Sequence, residues 1–415
     1  MPSRSEVLPS SARDAHGEAN WAAVIGLALC SFVVNASEFI PVGLISPIAD
    51  TLNLSEGETG QANAVSGIFS VTTSLFLGRL VGGADRRRVL LGLIALLLVA
   101  NVVVSLANSH QTLMAGRALL GVVVGGFWSM SAAVAMRLVP GSDVPKALAI
   151  VNGGSALAFA MIGPLGSYMG DLIGWRGTFL GMVPLVALAG LWQFLALKPL
   201  RVDERLGKGA ILSLLRDPLL VSGMVAVGLF YAGQFSLFTY LRPFLEQVSG
   251  ITGWLLSVML LVVGVSGLAG AAVVGRLLDD RRLYLIMGGL ASLMAVTAVA
   301  LALFGTNVWV VAVLLAVWGF TGTAAPAAWW TWLARSAPDD AEAGGGLLVA
   351  VMQAAIALGA AGGGIVFDRY GAATQFLCSA GLLALTAVAV AGLVHLRRRS
   401  RRREVIPSIQ HQLGV

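Results

Sequence analysis

Charge is what this 415-residue sequence has least of: Asp, Glu, Lys and Arg together make up 12% of it. That is about half the share of a soluble globular chain, and the mean hydropathy is +0.85. Cysteine is nearly absent. The two present, Cys30 and Cys378, fall inside apolar runs of opposite halves, which argues against a structural disulfide and against a metal site. The four histidines, His16, His110, His395 and His411, lie in the tails, in a loop and at the end of the last run. None sits where a buried proton relay needs one. No nucleophile–base set, metal spacing or phosphate loop is present, so neither an enzyme nor a resident cofactor is expected. Residues 1–20 are polar and the first apolar run is too long for a cleavable signal.

What is there is a succession of apolar runs, each near the ~20 residues that cross a bilayer as a helix. They cover 22–47, 60–83, 89–107, 111–136, 147–170, 177–197, 218–243, 252–278, 283–304, 308–334, 343–367 and 373–396. None alternates as a membrane β-barrel strand must. The expected fold is an all-α membrane protein of twelve transmembrane helices in two pseudo-symmetric six-helix halves. It divides into a tail (1–20), a first half (21–197), a charged central loop (198–217), a second half (218–396) and an Arg-rich tail (397–415).

The formal charge of +6 raises the question of a nucleic-acid partner, but the placement of the charges points to topology. With the N-terminus inside, 23 of the 27 Lys and Arg fall on one side, leaving Arg117, Arg176, Arg242 and Arg369. Positive residues stay cytoplasmic, so both termini are expected in the cytoplasm, in a multi-pass protein of a bacterial inner membrane. The tail arginines serve either as anchors on anionic lipid of the bilayer or as a topology signal alone. A monomer is expected.

The halves repeat weakly. Asp85 with Arg86, Arg87 and Arg88 before the third run matches Asp279 with Arg281 and Arg282 before the ninth, 194 residues on. Gly163-Pro164 matches the cluster from Gly359 at an offset of 196, and Asp171 matches Asp368 at 197. Two such halves with a site between them at mid-membrane form a transporter architecture. The Asp–Arg loops read as charge-paired gates, as topology signals, or as both.

Against this apolar background one acid stands out. Glu38 lies well inside the first run, and no other run holds Asp or Glu at comparable depth. Burial there costs at least ~2.5 kcal/mol, which makes the residue a functional candidate. Asn35, three positions earlier, shares its helix face. Arg117 in the fourth run is matched to Glu38 in depth, both roughly 9–13 Å below the outer boundary at ~1.5 Å per residue. The two are expected either to work as a proton-carrying pair, the proposal preferred here, or to stitch the first helix to the fourth. Solute contacts are expected from Tyr231, Gln234, Phe238 and Arg242 at helical spacing in the seventh run, Phe127 and Trp128 in the fourth, Trp329 and Trp330 in the tenth, and Gln353 in the eleventh. Trp332, nearer the helix end, reads rather as an interface anchor. Glycine sets such as Gly121, Gly125 and Gly126 read as close-packing faces.

These segments resemble the major facilitator superfamily, in its drug:proton antiporter branch, from about residue 20 to 395. Asp85-Arg86-Arg87-Arg88 is similar to the family's loop between helices two and three, with Val81 where that motif usually has glycine. Gly116-Arg117-Ala118-Leu119-Leu120-Gly121 resembles the helix-four motif whose Arg is implicated in proton transfer. Gly163-Pro164-Leu165-Gly166 resembles the helix-five antiporter motif. A further set is similar to the members that export purine ribonucleosides: Glu38-Phe39-Ile40-Pro41-Val42, Gly125-Gly126-Phe127-Trp128-Ser129 and Phe238-Thr239-Tyr240-Leu241-Arg242-Pro243. This resemblance implies export of inosine- or guanosine-like nucleosides in exchange for protons, with Tyr240 among the solute contacts. A multidrug or sugar exporter of the same branch is the alternative, and a receptor or scaffold without flux a more distant one.

Overall fold

The computed structural model of the protein describes residues 19–200, 214–278, 282–337 and 341–413, with the side chains of 78–80, 142, 145, 341–343 and 397–413 left out of that description. Most of the N-terminal tail, the side chains of the C-terminal tail, the middle of the central loop, Asp279 and Arg281 therefore lie outside that description. Among the described residues twelve long helices run back and forth, and no strand occurs. They are α1 (Trp21–Phe39), α2 (Glu56–Val81), α3 (Arg86–Ser105), α4 (His110–Arg137), α5 (144–173), α6 (175–196), α7 (Pro218–Thr239), α8 (Gly253–Leu277), α9 (Leu283–Phe304), α10 (Val308–Ser336), α11 (341–370) and α12 (372–413).

Local chemistry sets the boundaries. The side chains of Asn20, Asp85, Ser109, Asp217 and Asn307 each accept a backbone N–H in the first turn that follows, at α1, α3, α4, α7 and α10. This satisfies donors that the start of a helix leaves orphaned. The turns from α5 to α6 and from α11 to α12 are each a single glycine, Gly174 (φ 75°) and Gly371 (φ 79°). Only glycine takes that left-handed conformation without a Cβ penalty. The two lie 371 − 174 = 197 residues apart, the offset already seen between Asp171 and Asp368.

The first membrane crossing is longer than its hydropathy suggests. Pro41 interrupts α1, the chain tightens into a 3-10 turn over Ile40–Gly43, and a short helix, Ile45–Leu52, carries it onward to Asn53. Glu38 thus lies 17 residues past Trp21 and 14 before Leu52 (38 − 21 and 52 − 38). It is near the middle of the crossing and deeper than the sequence placed it.

Asn20 at the start of α1 donates to Ala196 O at the end of α6, and its own N–H bonds Leu138 O just past α4. These ends define the tail face; Asn53, Gly174, Gly250 and Gly371 turn at the far face. The halves meet where α2 packs on α11 and α5 on α8. Without a hydrophobic force between helices in lipid, close backbone approach holds such seams. Pro164 deprives the Ala160 carbonyl of its helical N–H partner, and Gly264 of α8 is pressed against that oxygen, where a Cβ would come within 2.0 Å. The antiporter-type motif thus faces the α5–α8 seam on one side and its own half on the other: Gly163 fits between Gly43 of the first crossing and Leu260 of α8, and Gly166 rests on Ile40.

Candidate functional site

At mid-depth the two halves are joined by a carboxylate and an amide. Glu38 is 5% exposed and Gln353 of α11 is 7% exposed. Gln353 Nε2 donates to Glu38 Oε1 at 3.1 Å and to Ser70 Oγ of α2 at 3.1 Å. Ser70 lies 14 residues past Glu56 (70 − 56), at the depth of Glu38. Gln353 was expected to meet solute; its bond to Glu38 across the halves was not expected. Ser70 carries no sequence signal that separates it from any other small helical residue.

Arg117 is wholly buried and turns its donors elsewhere than on the Glu38 carboxylate. Nη1 meets Ser37 O at 3.1 Å, Nη2 meets Glu38 O at 2.9 Å and Asn63 Oδ1 at 2.8 Å, and Nε meets Ala62 O at 3.3 Å. The cause is local. Residue 41 is proline, so the Ser37 carbonyl has no N–H four residues on, and the end of α1 presents unpaired carbonyls with a partial negative charge. A guanidinium with five donors fits such a cluster. Its charge still acts on Glu38 through space. Asn101 of α3 completes the collar, donating to Ser37 Oγ at 3.0 Å. Asn35 faces α5: its Nδ2 bonds Ser31 O at 2.8 Å and Ser155 Oγ at 3.1 Å.

An aromatic chain crosses the middle of the bundle. Phe159 of α5 lies 4.7 Å from Phe39, Phe39 is 5.3 Å from Phe235, and Phe235 is 6.3 Å from Tyr231 in a stacked pair. Phe238 meets Phe235 edge-on, and Phe230 leads on to Trp329 and Trp332. Of these rings, Tyr231, Phe238 and Trp329 were read from the sequence; Phe39, Phe159 and Phe235 look like ordinary core residues there. Phe127 is fully buried, with Trp128 5.5 Å away. Trp332, taken as an interface anchor, is instead buried under Gly223 of α7, while Trp330 is 41% exposed. The register of α10 decides this: positions 329 and 332 share its inward face. Polar atoms along the chain are left open. Tyr231 Oη, Gln234 Oε1 and Trp332 Nε1 are buried without a partner, and Gln234 Nε2 reaches Gly322 O only at 3.4 Å.

The far face is latched. Arg242, just past α7, lies 2.8 Å from Glu246 and 3.6 Å from Asp171 at the end of α5; it also donates to Gly43 O and to Ser167 Oγ. Glu56 at the start of α2 and Asp50 belong to the same charged group. Asp368, at the end of α11, takes Ser55 Oγ at 2.6 Å and Gly57 N at 2.9 Å. Each half therefore offers an aspartate, at repeat-related positions, to the other. Tyr240, buried, donates to Ala360 O at 2.8 Å and stacks on Phe367, tying α7 to α11.

On the tail face Asp85 caps α3 and also takes Leu200 N at 2.9 Å, and Arg87 Nη2 meets Phe194 O at 2.7 Å with its guanidinium over that ring. The Leu200 and Arg87 amides, with Arg88 and Arg87 beside it, hold the Asp85 carboxyl below the usual carboxylate range. Arg86 joins this loop through its backbone N–H to Leu200 O. The loop thus binds the end of α6 within the first half. Arg282 is described and has partners of its own; the rest of the matching loop is not described.

Comparison with known proteins agrees with this architecture. The family model described as Major Facilitator Superfamily matches residues 27–360. A protein of Pseudomonas aeruginosa named transcription regulatory protein OpdE is 49% identical over 372 residues, covering 89% of this chain and 92% of its own. The purine ribonucleoside efflux pump NepI of Salmonella paratyphi B is 37% identical over 377 residues, covering 91% and 95%. Among solved structures, the nucleoside transporter NupG superposes with a TM-score of 0.75 at 12% identity, over 90% of this chain and 99% of that one. The human organic anion transporter MFSD10 gives 0.68 at 16%, over 92% and 100%. The chain is a multi-pass membrane transporter, and it belongs to the major facilitator superfamily.

Proposed function

We propose that the protein is a proton antiporter that exports purine ribonucleosides, such as inosine and guanosine, by alternating access. It would sit in a bacterial inner membrane with the tail face in the cytoplasm and the far face outside. The observation that carries this reading is Glu38: an acid at mid-membrane, 5% exposed, on the seam between the halves. Glu38 takes a proton from the outer side and gives it up to the cytoplasm, while the solute moves the other way. Arg117 holds the break in α1 so that the carboxylate keeps its place. The solute lies along the aromatic chain. Purine rings stack on such faces at about 1–3 kcal/mol per base, and the open polar atoms of Tyr231 and Gln234 suit a neutral hydrogen-bonding heterocycle. The name of the 37% identical relative supports this solute class.

The test is uptake of radiolabelled inosine into everted vesicles under an imposed pH gradient. Gradient-dependent accumulation is expected from the parent and none from Glu38→Gln. Full accumulation by that variant would remove Glu38 from the mechanism. A second reading, sensing without flux, is favoured by the name of the 49% identical relative. Inosine binding with no uptake under any gradient would decide for it.

A further inference from the structure

An antiporter must not change its open side when it carries neither proton nor solute, or the gradient dissipates. The bond between Gln353 and Glu38 has the geometry of such a lock. It joins α1 to α11 across the halves at mid-depth, in the form whose far face is latched. We propose that Gln353 is a positioning residue that holds the empty, ionised carrier with its far face shut.

The proposal rests on the reading of Glu38 as the proton carrier. With Glu38 ionised, the N–H···O bond is charge-assisted, roughly twice as strong as its neutral counterpart. Either cargo weakens it. A proton on Glu38 removes the charge, and a solute with its own donors and acceptors competes for the amide. The lock therefore releases when the carrier has something to carry. Arg117 of α4 is the ionisable group acting on Glu38. Around it stand neutral partners: Gln353 of α11, Ser70 and Asn63 of α2 and Asn101 of α3. Protonation at this place is thus read by one carboxylate and one amide. Ser70 holds the same amide from the far side of the bond, which fixes the direction in which Gln353 points.

The experiment separates slipping from weakening. Gln353→Met keeps the volume of the side chain and removes only the amide. In vesicles, accumulation against a gradient, taken relative to the same variant's downhill inosine flux, should fall by about tenfold or more, the scale of a lost charge-assisted bond. Ser70→Ala, which leaves the bond to Glu38 in place, should keep most of the accumulation. Hydrogen exchange gives a readout free of flux: without solute at alkaline pH, amides at the start of α2, near Gly57, should exchange faster in Gln353→Met than in the parent. Unchanged accumulation, a parallel fall of both fluxes, or unchanged exchange near Gly57 would overturn the proposal. If Glu38→Gln still accumulated inosine, the antiport reading itself would fail; if only the Gln353→Met results were negative, the lock alone would.

Discussion

Arg117 shows how one backbone defect dictates a buried charge. Pro41 withholds an N–H from the Ser37 carbonyl, and Arg117 supplies it while binding Glu38 O, Ala62 O and Asn63 Oδ1. Removing it strands these acceptors in the bundle interior. Arg117→Met is expected to lower unfolding stability in detergent by about 3–5 kcal/mol, as for breaking a buried charged network. Arg117→Lys should recover only part of this, since a point charge with three donors replaces a planar fork. In the Arg117→Met background, Pro41→Ala restores the missing helical donor and should regain about 1 kcal/mol. A double-mutant cycle read by denaturant melts checks the coupling; additive losses would separate Pro41 from Arg117. The sequence displayed both ionisable residues, although it set Glu38 at the shallower depth of Arg117. It did not display that the guanidinium serves the backbone of Glu38 rather than its carboxylate, because a proline's orphaned acceptor leaves no mark in hydropathy.

At the scale of elements, the helices were legible because apolar runs of bilayer length leave the backbone no other way to satisfy its hydrogen bonds. The two ends of the first crossing were less so: the short helix Ile45–Leu52 contains Ser46, Asp50 and Thr51, and its polarity hides its continuity with α1. The seams were half legible. Gly163-Pro164 stood out as a motif, yet Gly57, Gly67 and Gly264 are ordinary glycines until their neighbours across the seam are known. Gly57→Ala is expected to hold the far face open, since its Cβ would lie 2.2 Å from Asp368 Oδ2 and 2.7 Å from Gly364 O. Transport should fall severely while a far-side thiol reagent gains access to a cysteine placed at Ser55. The tail-face loop has a pH dependence of known sign. Its carboxyl is held below the ordinary value, so docking of Asp85 on the Leu200 amide is complete above about pH 4. It is lost as the pH falls through the lowered value. Slow exchange of the Leu200 and Arg87 amides should follow that profile, and Asp85→Ala, which removes the acceptor, should abolish the protection at every pH.

For the whole molecule, duplication explains the far face. Asp171 and Asp368 each close the gap toward the other half, one on Arg242 and the other on Ser55 and Gly57. Sequence spacing marked the two as equivalent, although their different partners could not be read from it. If transport requires the halves to part at that face, oxidation of a Ser55→Cys, Asp368→Cys pair should arrest solute flux and reduction should restore it. Flux that survives cross-linking would place the opening elsewhere. The same double variant in its reduced form serves as the control, because it lacks the latch but is free to move.

The contact between Gly264 and the Ala160 oxygen has a pharmacological side. It is made of main chain on both sides, so a point mutation has few means of reshaping it without also spoiling closure. A small wedge-shaped molecule lodged there from the lipid would jam the transporter without competing with its cargo, and the host cell would find resistance to such a compound hard to acquire.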